Sequence, residues 1–252
     1  MNDTRVVIVG AGIAGLACAV DLAALGLDVT VVEAAEAPGG KMRELAVDGR
    51  RVDSGPTVLT MPWIFEELFA DAGAELADHV TLERAELLAR HAWDAEARLD
   101  LYVDAERSAE AIAALAGPAE ARGYRSFCRH AKDVFDTLYA PFMRASRPTP
   151  VSLVAGAGAR GVPGLVRMKP FADLWSLVAR HFRDPRLRQL FGRYATYCGS
   201  SPYRATATLA LIAHVEGLGV RLVAGGMSRL AEALAALAQQ LGATLRFAAP
   251  AA

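Results

Sequence analysis

The segment that decides the fold is Arg5-Val6-Val7-Ile8-Val9-Gly10-Ala11-Gly12-Ile13-Ala14-Gly15, followed by the Ala- and Leu-rich residues 16–25. A β-branched apolar run, a GxGxxG pattern and a helical stretch in this order predict strand, turn and helix. Gly26 ends the helix, and residues 28–33 form a second apolar run. Because such a crossover joins parallel strands, the first 33 residues predict one βαβ unit.

The glycines of this turn predict a dinucleotide site. Gly10 permits the tight turn, Gly12 lets the backbone approach a pyrophosphate, and Gly15 lets helix and strand pack closely. The helix N-terminus adds free N–H groups and a positive dipole for the phosphates. Glu33 ends the second apolar run, where its carboxylate can accept hydrogen bonds from ribose hydroxyls. The alternative is a purely structural glycine turn, which the agreement of strand, helix and acid disfavours.

A second GxGxxG match at residues 156–161 lacks this context. Pro163-Gly164 interrupts any helix that could follow it, and no acid ends a later apolar strand. We therefore expect a loop there.

The residues after Glu33 bear on which dinucleotide is bound. Gly39-Gly40-Lys41 and then Arg43 follow within ten positions. Paired glycines expose backbone N–H groups that could meet a second part of an extended cofactor, while Lys41 or Arg43 could face phosphate or a flavin ring. A surface turn with two solvated cations fits the spacing equally well, so the spacing leaves both interpretations open.

The remaining pattern alternates between strands and helices. Residues 44–53 predict a hairpin around Asp48-Gly49, a helix follows Pro62, and residues 80–103 form a strand-rich patch with a hairpin near residues 94–97. Helices dominate residues 108–218. Residues 220–247 restore the order strand, helix, strand.

Composition and charge exclude several classes of function. The hydrophobic content of 53% allows a large core, and a formal net charge of −1 gives no general attraction to nucleic acid. The three cysteines lack metal-type or disulfide-type spacing, so we expect buried structural thiols and no metal site. Without a signal-peptide pattern or an apolar run of about 18 residues, the sequence predicts a cytoplasmic protein whose membrane contact is peripheral.

The sequence resembles the FAD-dependent carotenoid (phytoene) desaturase family of the amine oxidase superfamily. Glu33 with Gly39-Gly40-Lys41 is similar to its second flavin motif, and residues 55–60 are similar to the segment beside the isoalloxazine ring. The resemblance continues at residues 124–127, 193–203 and 225–230, and therefore spans almost the whole chain. Within the family, residues 197–202 are most similar to the hydroxyneurosporene (methoxyneurosporene) desaturases, the 1-hydroxycarotenoid 3,4-desaturases, with phytoene desaturase a near rival.

The resemblance implies an α/β fold. It consists of a Rossmann-like FAD-binding domain of the glutathione-reductase-like or amine-oxidase type, with an inserted substrate sheet and a helical lid. We expect residues 1–78 to form the first part of the FAD-binding domain and residues 79–104 the substrate-domain strands. Residues 105–218 would form the helical lid, and residues 219–252 an incomplete return to the FAD-binding domain. Family members are roughly twice this length, so the C-terminal half is expected to be missing.

The resemblance also implies FAD as cofactor and oxidation of a CH2–CH2 unit of a carotenoid to CH=CH. A 1-hydroxy or 1-methoxy carotenoid is the expected substrate. The implied FAD-binding residues are Gly10, Ala11, Gly12, Ile13, Ala14, Gly15, Glu33, Ala34, Gly39, Gly40, Lys41, Arg43, Gly55, Pro56, Thr57 and Val58. Other flavin oxidases of the superfamily, and a noncatalytic FAD-binding fragment, are the alternatives.

No residue is predicted to be catalytic, because the cofactor carries the redox step and the scattered acids form no constellation. His91, His130 and His214 are expected to be structural or solvated.

A basic and apolar stretch lies between Asp136 and Asp173, where there is no acidic residue. Its cations are Arg144, Arg147, Arg160, Arg167 and Lys169. This mixture is typical of an interfacial segment beside anionic lipid, so we expect peripheral contact with the inner membrane. A helical lid whose arginines are merely solvated is the alternative.

Overall fold

The computed structural model describes residues 4–147, 149 and 172–251. The chain divides into two compact units: Met1–Ala85 with Val220–Ala252 form unit 1, and Glu86–Gly219 form unit 2. The loop predicted at residues 156–161, and most of the predicted membrane-contact stretch, lie outside the described residues.

The described strands are β1 (Arg5–Val9), β2 (Asp28–Val32), β3 (Glu44–Val47), β4 (Arg50–Asp53), β5 (Leu82–Arg84), β6 (Leu87–Ala92), β7 (Arg98–Tyr102), β8 (Arg221–Val223) and β9 (Thr244–Arg246). The described α-helices are α1 (Ile13–Ala24), α2 (Trp63–Asp71), α3 (Leu76–His79), α4 (Ala105–Ala116), α5 (Pro118–Leu138), α6 (Leu174–His181), α7 (Pro185–Gly192), α8 (Leu211–Gly217) and α9 (Ser228–Gln240). A π-helical turn (Tyr139–Met143) follows α5, and 3-10 turns cover Arg193–Cys198 and Ala207–Ala210.

Unit 1 is built on a parallel sheet in the order β1-β2-β9. β1 and β2 pair in register from Arg5 with Asp28 onward, which confirms the predicted βαβ unit. The core of the unit includes Leu16 and Val20 of α1, Val29 and Val31 of β2, and the inner face of α9. α1 thereby buries the face that the helical period of its apolar residues predicts.

The first strand has one open edge within the described residues. β1 pairs there with β2 alone, and the side chains of Val7 and Val9 are 66% and 70% exposed. Parallel sheets normally cover both faces of their strands, so these two valines stand out as apolar groups in contact with water.

The predicted hairpins form at both places. β3 and β4 pair antiparallel across Asp48 and Gly49, whose φ angles of 48° and 75° suit a tight turn. β6 and β7 pair across a turn in which the carboxylate of Asp94 accepts hydrogen bonds from the amides of Glu96 and Ala97. Such Asx turns explain why Asp favours this position.

Unit 2 packs its helices around stacked aromatic rings. Phe127, Phe182 and Phe191 are buried, and the rings of the last two stack with centroids 4.7 Å apart. Asp104, Asp173 and Asp184 cap α4, α6 and α7, each accepting hydrogen bonds from amides of the first turn.

The strand-rich patch divides between the two units, and one expectation about the cysteines is wrong. The strand patch at residues 80–103 is split: β5 pairs antiparallel with β8 in unit 1, while β6 and β7 form a hairpin in unit 2. Cys18 and Cys198 are exposed and Cys128 is half-buried, so the expectation of buried thiols was wrong. The exposed position of Cys18 follows from the helical period, because Leu16, Ala19 and Val20 occupy the buried face of α1.

Candidate functional site

The glycine loop between β1 and α1 has the geometry of a dinucleotide cradle. Gly10 adopts a φ of +99°, and its amide donates to the carbonyl of Val32 at 2.7 Å. A Cβ on Gly15 would collide with the carbonyl oxygen of Gly10, so only glycine lets α1 pack this closely on the loop. A Cβ on Gly12 would meet no atom within 4 Å. Gly12 therefore lies beside open space that a ligand can occupy.

The N-terminus of α1 is suited to an anion. Gly12 is its N-cap, no side chain caps it, and its first turn contains no acidic residue. The first-turn N–H groups have no intrahelical acceptor, and the helix dipole adds positive potential there. The comparable end of α9 differs, because the carboxylate of Asp53 accepts from the Met227 amide at 3.0 and 3.1 Å. Of these two helix starts in unit 1, α1 is the one without a carboxylate cap.

Glu33 follows β2 and reaches back to the glycine loop. Its carboxylate accepts hydrogen bonds from the amides of Ala11 at 2.6 Å and Ala35 at 2.8 Å. These backbone donors, that of Ala35 foremost, lower the pKa of Glu33 below its ordinary value. The group is therefore an anion at neutral pH, and its remaining lone pairs can accept hydroxyl protons.

The structure brings the second predicted segment to this loop, and the third segment to the second. The amide of Gly39 donates to the carbonyl of Ala11 at 2.9 Å, and a Cβ on Gly40 would lie 3.2 Å from the Cα of Gly12. Farther along, Ser54 N donates to the Arg43 carbonyl at 2.9 Å. The backbone of Gly55 approaches Lys41 so closely that a Cβ would collide with the Lys41 carbonyl oxygen.

The predicted cations of the second segment are free in the described part of unit 1. Lys41 and Arg43 are exposed, and neither forms an ion pair with a described residue. The exposed segment from Gly55 to Val58 continues from the same place. Lys41 and Arg43 are therefore available as candidate hydrogen-bond donors to a ligand.

Sequence reasoning did not assign Asp53 and Gly226 to the site. Gly226 has a φ of +98°, and a Cβ there would lie 2.9 Å from the Asp53 carboxylate, which also binds the start of α9. The hydrogen bond from the Met227 amide to the Asp53 carboxylate joins residues 174 positions apart. The double glycine before α9 is the sequence feature that could have indicated this contact, but only the fold identifies Asp53 as its partner.

A buried ionic cluster in unit 2 was also missed. The Glu216 carboxylate accepts from the Arg193 guanidinium at 3.1 Å, from the Tyr194 hydroxyl at 2.8 Å and from the Tyr197 hydroxyl at 3.4 Å. Burial, followed by the adjacent Glu216 charge, raises the pKa of Tyr194 well above its ordinary value, so its hydroxyl remains a donor. The Nε atom of Arg193 is buried without a partner.

No proton-transfer or metal centre emerges from the described residues. Within them, no group of His, Cys, Asp and Glu could hold a metal ion. Burial lowers the pKa of His91, His130 and His214, so these rings are largely neutral at pH 7, and none lies in unit 1 with the glycine loop. No helix of the described chain is both long and apolar enough to cross a bilayer.

Sequence comparisons agree with this geometry. A family model described as an NAD(P)-binding Rossmann-like domain matches residues 8–72. The chain is 54% identical to a hydroxyneurosporene desaturase of Rubrivivax gelatinosus, over 98% of this chain and 47% of that protein. It is 48% identical to a hydroxyneurosporene desaturase of Cereibacter sphaeroides, over 98% of this chain and 50% of that protein. The chain thus spans about half the length of these relatives, and the resemblance to carotenoid desaturases is confirmed.

Comparison with solved structures supports the fold. Putrescine oxidase bound to putrescine matches with a TM-score of 0.59 at 17% identity, over 98% of this chain and 52% of that one. At this identity the match is evidence for the fold alone. The chain has a Rossmann-like dinucleotide-binding fold of the amine-oxidase type.

Proposed function

We propose that this chain is the N-terminal part of an FAD-dependent carotenoid desaturase, which oxidises a CH2–CH2 unit to CH=CH in a 1-hydroxy or 1-methoxy carotenoid. The observation that carries the proposal is the identity of 54% to a hydroxyneurosporene desaturase along 98% of the chain. The glycine loop, the uncapped α1 and the Glu33 carboxylate supply independent support, because together they form a dinucleotide cradle.

We propose FAD as the dinucleotide because polar groups continue past the Rossmann loop. The α1 N–H groups and the space beside Gly12 would take the pyrophosphate, and Glu33 would accept the ribose hydroxyls. The exposed cations Lys41 and Arg43 and the segment from Gly55 to Val58 would contact the more distant part, including the ring. The residues present fit the cofactor, since the open space beside Gly12 would be narrowed by a Cβ at that position.

The protein's share of the reaction is binding and orientation. FAD held by the glycine loop and Glu33 would supply the two-electron oxidant that converts CH2–CH2 to CH=CH. The backbone of the glycine loop would hold the cofactor in one position relative to an apolar polyene. We assign no side chain as a base.

The test is turnover by a chain completed with the C-terminal half of the 54%-identical relative. Lycopene, phytoene and hydroxyneurosporene are each supplied, and the absorption spectrum is followed. We expect a red shift with hydroxyneurosporene, because each new double bond lengthens the conjugated system. A shift with phytoene alone would favour the phytoene desaturase alternative, and no shift with any carotenoid would contradict the proposal.

The second candidate is a noncatalytic FAD-binding or assembly fragment. It is favoured by the open edge of β1 within the described residues, where Val7 and Val9 are exposed. The 252-residue chain is assayed alone and with the relative's C-terminal half added in trans. Flavin absorbance without turnover by the chain alone supports this candidate, whereas turnover by the chain alone rejects it.

We also propose peripheral contact with the cytoplasmic face of the inner membrane, since an apolar substrate must leave a bilayer. The described beginning of the basic and apolar stretch supports this, because Phe142 is 47% and Met143 39% exposed just before Arg144. Exposed apolar side chains beside a cation suit the headgroup boundary of an anionic membrane.

A further inference from the structure

A cavity in unit 1 lies apart from the dinucleotide cradle. It has a volume of about 540 Å³ and is bounded by α2, α3, β5 and β8. This is within the range of about 300–1,000 Å³ in which proteins hold small molecules. Leu76, Val80 and Leu82 give it apolar walls, and Leu76 and Val80 are buried.

One arginine on the cavity wall lacks a partner. The backbone of Arg221 is fixed by two hydrogen bonds to Leu59, both 2.8 Å long. Its Nη1 atom is buried and has no hydrogen-bond partner, and the side chain forms no ion pair with a described residue. Because the Arg221 side chain has no anionic partner among the described residues and Arg221 lines the cavity, an oxygen acceptor there can take a charge-assisted hydrogen bond from its guanidinium.

A second arginine, Arg84, provides a matched comparison on the neighbouring strand. Arg84 of β5 lies directly opposite Arg221 of β8 in the antiparallel pair, so the two side chains share a face. Arg84 is exposed and does not line the cavity.

The acidic residues on the wall restrict the charge of the ligand. Glu66 and Glu75 line the cavity and are exposed. Two carboxylates oppose a phosphate dianion more strongly than a monoanion, while the planar guanidinium fork matches a carboxylate. We infer that this cavity binds a monoanionic amphiphile, a carboxylate with an unbranched apolar tail, with its head on Arg221 and its tail along Leu76, Val80 and Leu82.

The inference does not depend on the proposed function and is tested with the 252-residue chain. Decanoate, 1-decanol and acetate are titrated calorimetrically at pH 7 and low ionic strength. We expect decanoate to bind at least tenfold more tightly than 1-decanol, since one charge-assisted hydrogen-bonded pair contributes roughly one to two decades of affinity. Acetate should not bind measurably, because it lacks the apolar tail.

Variants separate the head and tail contacts. Arg221→Met should weaken decanoate binding about 10- to 100-fold and leave 1-decanol binding unchanged. Arg84→Met is the matched control on the opposite strand and should change the affinity less than about threefold, because solvent screens its charge. Glu66→Gln should tighten decanoate binding, which keeps the test decisive if Arg221→Met does not fold.

Three results would overturn the inference. The first is that decanoate does not bind, and the second is that decanoate and 1-decanol bind with equal affinity. The third is that Glu66→Gln, or an Arg221→Met variant that folds, binds decanoate with the affinity of the unmodified chain. Circular dichroism and melting curves establish which variants are folded.

Discussion

At the scale of single residues, backbone hydrogen bonds and burial determine whether Glu33 and His181 are ionised. Two backbone amides lower the pKa of Glu33, which keeps a carboxylate at the cradle and ties the glycine loop to the end of β2. In unit 2, burial keeps a basic group uncharged. It lowers the pKa of His181 to about 4, assisted by His130 and by the positive charges of Arg180 and Arg129.

His181 should make the stability of the chain depend on pH. Its pKa is about 4 when folded and near 6.5 when unfolded, so between these values the unfolded state binds more protons. The contribution is present above about pH 6.5 and is lost as pH falls toward 4, by about 2 kcal/mol after allowance for partial solvent contact. Urea unfolding at pH 7 and pH 5 should show a smaller difference for His181→Phe than for the unmodified chain. An equal difference would contradict this assignment.

At the scale of elements, the two glycines around the start of α1 have different physical tasks. Gly15 is required by packing, because a Cβ would collide with the backbone carbonyl of Gly10. Gly12 has a φ of −73° and free space around its Cα, so the protein alone does not require glycine there. The requirement at Gly12 would come from the ligand, which is the reason that the Rossmann pattern gives for it.

Alanine at these two positions should therefore separate stability from cofactor binding. Gly15→Ala should lower the free energy of unfolding by about 1–3 kcal/mol, because backbone cannot move aside cheaply. Gly12→Ala should change it by about 0.5 kcal/mol or less, yet weaken FAD binding at least about tenfold. Thermal melting and quenching of flavin fluorescence measure the two effects. A Gly12→Ala variant that binds FAD normally would exclude the proposed pyrophosphate position.

At the scale of the whole molecule, each unit has its own core, and the chain leaves apolar groups in water in both. Val7 and Val9 are exposed on β1 in unit 1, and Phe142 is exposed after α5 in unit 2. The valines belong to a sheet with an open edge, whereas Phe142 precedes a stretch rich in arginine and apolar residues.

Membrane contact by the second group predicts a salt-dependent interaction. The chain should float with vesicles containing phosphatidylglycerol at low salt, and less with phosphatidylcholine vesicles or at high salt, because screening weakens the basic contacts. Phe142→Ser should reduce flotation, while Leu45→Ser, which changes an exposed leucine of β3, should not. Absence of binding to anionic vesicles at low salt would count against membrane contact.

The sequence by itself determined the βαβ unit, both hairpins and the glycine turn. These features follow from the period of apolar residues and from the backbone angles that Gly, Asp and Asn favour, which are local properties of the chain. The resemblance added the two later segments; Gly39 and Gly40 lie beside the glycine loop, and Gly55 lies beside Lys41.

The tertiary structure alone decided which distant residues meet. Asp53 accepts a hydrogen bond from the start of α9, and β5 pairs with β8. Glu216 accepts hydrogen bonds from Arg193 and from two tyrosines. The unpartnered Arg221 was likewise visible only in the fold. A local pattern specifies torsion angles and which face of an element is buried, but not the residue across the contact. That choice depends on how all the elements pack together, because a partner can lie anywhere in the chain.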